Sequence, residues 1–174
     1  MSDEAFETLM GSADPPLIVL TTAAEGERAG CLVGFHAQSS ITPPHYSVWL
    51  SKANHTYRVA LHASHVAVHF PAQGDLEIAR LFGTTTGDDV DKLAAVDWEA
   101  GPGGVPLLSS LPNRFVGRRV TLLDDGSDHV CLVLEPTETW GDGTLRPLRL
   151  AGAQDLEPGH DSHDRPTPAA LRTR

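Results

Sequence analysis

The apolar residues of this chain arrive in short bursts that glycine, proline or serine close off at once. Pro16–Thr22 (PLIVLTT), Cys31–Phe35 (CLVGF), His45–Leu50 (HYSVWL) and His65–Phe70 (HVAVHF) are rich in β-branched, aromatic or aliphatic residues, and all are too short for several helical turns. They predict strands. Arg114–Leu123 and His129–Thr139 are longer runs of the same kind, and the turn-forming pentad Asp124-Asp125-Gly126-Ser127-Asp128 between them predicts a hairpin. Two short helices are expected between these blocks: Asn54–Ser64, with Tyr57, Ala60 and Leu61 on one face, and Asp75–Phe82, with Leu76, Ala79 and Leu81. Gly101–Pro106 (GPGGVP) reads as a loop. No internal repeat and no G-x-G-x-x-G turn is present, which argues against a solenoid or a doubly wound parallel sheet. A mostly β chain closed into a barrel, which removes its sheet edges, is expected instead.

At 174 residues the chain is long enough for one core. The expected division is a single domain over 1–154 and a polar, flexible tail over 155–174, where apolar residues almost vanish. No run of about 18 apolar residues exists, so a membrane partner is not expected. The opening MSDEAFETLM is acidic where a secretory signal needs positive charge, which predicts a cytoplasmic location. The net charge of −10 would repel a phosphodiester backbone, so nucleic acid is not expected as a partner either. Cys31 and Cys131 lie inside apolar runs and form no C-x-x-C pair, which predicts buried free thiols. His36, His45, His55, His62, His65 and His69 crowd together, but no Asp or Glu stands near His65 and His69 to complete a metal site, and no metal is expected.

Two segments carry chemistry. Ser51-Lys52-Ala53-Asn54-His55-Thr56 joins a strand to a helix start; Asn54 is a favoured N-cap, and the free N–H groups of a first turn form an anion site to which Lys52 adds charge. A phosphate would suit it; the alternative, which these residues alone favour, is an ordinary capped helix with a solvated lysine. In Gly30–Pro44 a strand turns polar without ending. Gly34 would let a flat ring approach the backbone, and Gln38, Ser39 and Ser40 offer groups suited to a polyol chain. The alternative is a glycine-marked bulge and a serine-rich turn before Pro43-Pro44.

Taken in order, these segments, together with Val66–Phe70, the helix Leu76–Phe82, Gly104-Val105-Pro106-Leu107-Leu108 and Ser127-Asp128-His129, resemble the flavin reductase-like group of FMN-binding split barrels over residues 13–150. The resemblance implies a six-stranded FMN-binding split β-barrel with two or three short helices. It places the isoalloxazine ring against Leu32, Val33 and Gly34, the ribityl chain on Gln38, Ser39 and Ser40, and the phosphate on Lys52, Asn54, His55 and Thr56. Phe82 and Gly83 match the family's Phe-plus-small-residue position near the cofactor. His129 matches the histidine of its Gly-Asp-His turn and is the catalytic candidate, near flavin and nicotinamide. Gly34-Phe35-His36 replaces the family's common Ser-Ser-Phe and His69 stands where Asn is frequent, so rearranged flavin contacts are expected. The turn Gly126-Ser127-Asp128-His129 is one residue longer than Gly-Asp-His.

The implied activity is hydride transfer from NADH or NADPH to FMN or FAD, with a flavin-dependent monooxygenase as a partner that receives reduced flavin. The alternative is an FMN-binding carrier, sensor or oxidase-like flavoprotein without nicotinamide-dependent turnover. A shallow cleft in a small barrel also predicts a homodimer, for which Trp49 and Phe115 are interface candidates with a core position as the other option.

Overall fold

Glu25 and Gly26 both have positive φ, 52° and 83°, the backbone hand that a two-residue turn between right-twisted strands requires. That turn joins β1 (Ile18–Ala24) to β2 (Glu27–Val33). A computed structural model describes residues 3–141 and 143–159 of the chain. After β2 come β3 (His36–Ile41), β4 (Pro44–Ser51), β5 (His65–His69), β6 (Trp98–Ala100), β7 (Pro106–Leu108), β8 (Arg114–Leu123) and β9 (His129–Trp140). The helices are α1 (Asp3–Ala13), α2 (His55–Ala60) and α3 (Leu76–Thr84). Among the described residues no helix is long and apolar enough to cross a membrane.

Seven strands form one antiparallel sheet in the order β2-β1-β5-β8-β9-β4-β3, and β6 and β7 pair separately. Strand β1 is paired on both sides and buried on both faces, Ile18 and Leu20 on one and Val19 on the other, which is why its sequence is a continuous apolar run. Cys31 and Val33 of β2, near one end of the sheet, share a cluster with Val48 and Leu50 of β4, near the other, and with Val66, Val68, Phe115, Leu132 and Leu134 between them. The sheet therefore curls around one core. Its outermost strands, β2 and β3, are paired only on their inner sides among the described residues.

The count of strands exceeds the six expected, for two physical reasons. The stretch Gln38-Ser39-Ser40, readable as a turn, is part of edge strand β3, which pairs with β4 alone and is largely exposed, so it needs no apolar alternation. The GPGG loop is the tip of a short hairpin, β6–β7, whose strands are too brief to show a period. Helix α1 was also invisible as a packed element, since none of its residues is buried. Of the expected tail, residues 160–174 lie outside the described residues.

Three side chains singled out by sequence prove to be structural. Phe115 is 6 % exposed, its ring centroid 5.1 Å from that of Tyr46, so it belongs to the core and not to an interface. His36 bonds to the Tyr46 hydroxyl at 2.6 Å and the Pro16 carbonyl at 2.8 Å, and burial pushes its pKa down. His69 is fully buried; its Nδ1–H donates to the Val19 carbonyl at 3.2 Å and its Nε2 accepts from the Leu108 N–H at 3.1 Å, tying β5 to β1 and β7. Burial lowers its pKa to about 3, because a second proton would be desolvated and aimed at an N–H donor.

Candidate functional site

Helix α3 lies against β2, and its C-terminal end forms one side of a cleft of about 340 Å³, a size typical of small-molecule sites. The packing that builds it is close. A Cβ at Gly30 would come within 2.7 Å of Phe82 Cε1, and one at Gly83 within 2.8 Å of Leu32 Cδ2, so helix and strand interdigitate through their glycines. Phe82 is thereby fixed at the cleft, 2 % exposed. Gly34 differs: a Cβ there would meet nothing nearer than Leu17 Cδ2 at 3.6 Å. Its missing side chain relieves no clash inside the protein and instead leaves the strand end open toward the cleft.

Of the residues that sequence reasoning selected, Leu32, Val33, Gly34, Asn54, Phe82, Gly83 and His129 line this one cleft. They come from the end of β2, the start of α2, the end of α3 and the start of β9. His129 sits opposite Ser51 across the β4–β9 ladder, with its Nδ1 2.9 Å from Asp128 Oδ1 and its ring 5.2 Å from that of the exposed Phe35 in an edge-on contact. Asn54 caps α2, its side-chain oxygen accepting from the Thr56 N–H at 2.9 Å.

The remaining selections lie elsewhere. Gln38 donates to the Ser40 carbonyl at 3.1 Å and Ser39 accepts from the Ser47 hydroxyl at 2.8 Å, all on the β3 edge and its neighbour β4. Lys52 reaches away to Asp124, at 2.7 Å, and the pairing holds that carboxyl below its ordinary range. The Thr56 side chain is buried beneath the cap. His55 lines a second cleft of about 190 Å³, together with Arg28, Gly30, Gly87 and Asp88, where its Nδ1 lies 3.3 Å from Asp88 Oδ1.

Lys92 is the residue that sequence reasoning missed. It is 5 % exposed and lines both clefts. Its ammonium donates one long bond, 3.4 Å, to the Phe82 carbonyl and stands 5.6 Å from that ring, and among the described residues no carboxylate pairs with it. Burial pulls its pKa down, a tendency that nearby Cys31 opposes. A buried cation without a counter-ion is costly, and an arriving anion would remove that cost. The available signal was a lone cation set between the acidic Asp88-Asp89-Val90-Asp91 and the apolar Leu93-Ala94-Ala95. Ser51, Thr85 and Thr86 add hydroxyls to the same cleft. In sum the cleft joins an apolar slot, open at Gly34, to a polar end holding a buried ammonium beside a capped helix start.

Comparison with known proteins gives one consistent answer. The sequence profile named flavin reductase like domain matches residues 10–153. The reductase subunit of stachydrine N-demethylase from Rhizobium meliloti is 29% identical over 125 residues, covering 70% of this chain and 52% of that protein. The FMN reductase (NADH) RutF of Methylorubrum extorquens is 29% identical over 118 residues, covering 66% of this chain and 57% of the relative. The chain thus spans about half the length of these curated relatives. The solved NADH:FAD oxidoreductase SgcE6 of Streptomyces globisporus superposes with a TM-score of 0.77 at 20% identity, covering 87% of this chain and 90% of that one, a likeness of fold. The match runs through β1 to β9 and every wall of the cleft up to Ala153, and the chain belongs to the flavin reductase like domain family.

Proposed function

We propose that this chain binds a flavin nucleotide, FMN or alternatively FAD, in the cleft beside α3 and reduces it with NADH or NADPH. The observation that carries the reading is the buried Lys92 ammonium, with no carboxylate paired to it among the described residues, at the polar end of an apolar slot. A flat, uncharged ring system fits the slot and a phosphate group fits the cation. The names of the relatives, an FMN reductase (NADH) and an NADH:FAD oxidoreductase, support the same chemistry. When bound, the flavin accepts hydride from the nicotinamide and releases the electrons to an acceptor.

The chain's own residues bind and orient. Leu32, Val33 and Gly34 offer backbone to the ring, while Phe82 closes the floor and excludes water. Lys92, Asn54, Thr85 and Thr86 receive the phosphate end. His129, held by Asp128 at the cleft mouth, positions the nicotinamide. Gln38, Ser39, Ser40, Lys52, His55 and the Thr56 side chain have no part in this assignment.

The strands β2, β1, β5, β8, β9 and β4 are, in this reading, the six strands of a split barrel, with β3 extending one edge. Exposed Trp49, Ile41 and Leu123 suit a homodimer contact. A monooxygenase or demethylase component that takes reduced flavin is the fitting partner, as the name of the demethylase reductase subunit suggests. The two free, buried cysteines agree with a cytoplasmic setting.

The test is to add FMN to the purified protein, record the bound-flavin spectrum, and follow loss of reduced-nicotinamide absorbance. Flavin uptake with NADH or NADPH consumption is expected. Uptake without consumption would leave a flavoprotein lacking reductase activity, and no uptake would refute the reading.

A further inference from the structure

The family match ends at Ala153, yet the wall of the cleft does not. Leu156, Pro158 and Gly159 also line it. Leu156 donates its N–H to the Ala153 carbonyl at 3.0 Å and packs its half-buried side chain against the cluster of Leu17, Ala79, Leu148 and Ala153. Gly159 donates its N–H to the Gly83 carbonyl at 3.3 Å. A Cβ at Gly159 would lie 2.7 Å from the Thr84 carbonyl oxygen, 2.8 Å from its carbon and 3.0 Å from the Thr85 carbonyl carbon. These are main-chain atoms, which cannot swing aside as a side-chain end would. The strand of chain therefore seats on the exit of α3 at a point where only glycine fits.

We propose that Leu156–Gly159 is a strap that closes the cofactor cleft against the end of α3, and that its undocking sets how fast the flavin leaves. The proposal rests on the flavin reading above. Most of the other walls are sheet and helix held by ladders and core packing, whereas among the described residues the strap is held by one half-buried leucine, one local backbone bond to Ala153 and one long bond to Gly83, so it is the wall that opens at least cost. Its docked form narrows the way out for a flat ring. Its release lets reduced flavin pass to a second protein. In this chain retention of the flavin is thus set by residues outside the shared domain.

The experiment uses full-length protein and two variants, Gly159→Val, which cannot seat on the Thr84 main chain, and Leu156→Ser, which loses the apolar anchor. Each is loaded with FMN, diluted rapidly, and followed by recovery of flavin fluorescence; thermal melting without flavin checks that the fold is kept. Both variants are expected to release FMN about tenfold faster, since docking contacts govern dissociation more than association. FMN should also slow amide exchange at Leu156 and Gly159 in the unsubstituted protein. Release within twofold of the unsubstituted rate in both variants, or slower release, would overturn the strap. If the unsubstituted protein takes up no FMN on mixing, the flavin reading itself falls, and the strap with it.

Discussion

Lowering the pH from 7 to 5 should cost the fold about 2 kcal/mol through His69 alone. The imidazole is neutral in the fold, held between the Val19 carbonyl and the Leu108 N–H, with a pKa of about 3 against 6.5 for an ordinary histidine. Because the folded value is depressed, the unfolded chain binds the proton first. Stability from this group is full above pH 6.5 and is lost progressively as pH falls from there toward 3. At pH 5 the gap from 6.5 is 1.5 pH units, which at ~1.36 kcal/mol per unit gives about 2 kcal/mol. His36 is depressed in the same direction and adds to the loss. The carboxylates with lowered values, Asp88, Asp124 and Asp125, have an ordinary value of 3.8, so protonation of the unfolded chain at these groups sets in only near the bottom of this window and leaves most of it to the histidines. Urea unfolding at fixed protein concentration, followed by circular dichroism at pH 7, 6 and 5, measures the slope. His69→Gln should be less stable at pH 7 yet show a slope shallower by roughly one proton. An unchanged slope in that variant, or flat stability across the window, would refute the reasoning.

Lys92→Met should weaken FMN by about 10- to 150-fold while leaving riboflavin nearly unaffected, the worth of a charge-assisted bond of about 1.5–3 kcal/mol, and Lys52→Ala should do far less because that ammonium is already turned to Asp124; flavin titrations compare the three. Gly30→Ala should cost about 1–3 kcal/mol in unfolding experiments and weaken FMN, because its Cβ would push on the Phe82 ring. His129→Ala should raise KM for NADH or lower kcat by up to about tenfold, one hydrogen bond's worth, with FMN affinity within a few-fold in steady-state kinetics and titration. Light scattering at micromolar concentration should give the mass of a dimer.

Where the sequence was informative, it was so through local chemistry. The hairpin β8–β9 is announced by two long β-compatible runs on either side of an acidic, glycine-bearing turn, and both strands begin where expected. Asn54 is the cap of α2 because a short side-chain oxygen before a helix has one obvious use. Gly34, Phe82 and His129 each lie at or close to the end or the beginning of an element, and the curl of the sheet brings those points to one cleft. What was illegible depended on tertiary neighbours. Lys52 and Lys92 look alike in sequence, and only the fold shows that one ion-pairs at the surface while the other is buried with no carboxylate paired to it among the described residues. The serines of β3 resemble a turn because an edge strand has no apolar period, and nothing beside His69 in the sequence tells that β1 and β7 occupy both its nitrogens.

The pairing of Ser51 with His129 fixes where sequence length can drift. Strand β9 is held to β4 from His129 through Leu134 without a break, so a residue inserted inside that stretch would turn His129 to the opposite face of the sheet. The acidic turn before it carries no such register. The extra residue in Gly126-Ser127-Asp128-His129 is absorbed there, where the chain is exposed and the Ser127 and Gly126 N–H groups are met by aspartates of the turn itself. Insertions and deletions between Asp124 and Asp128 should accordingly be tolerated across related sequences while the interval from His129 to Leu134 keeps its length, leaving the histidine's address unchanged however long the approach to it becomes.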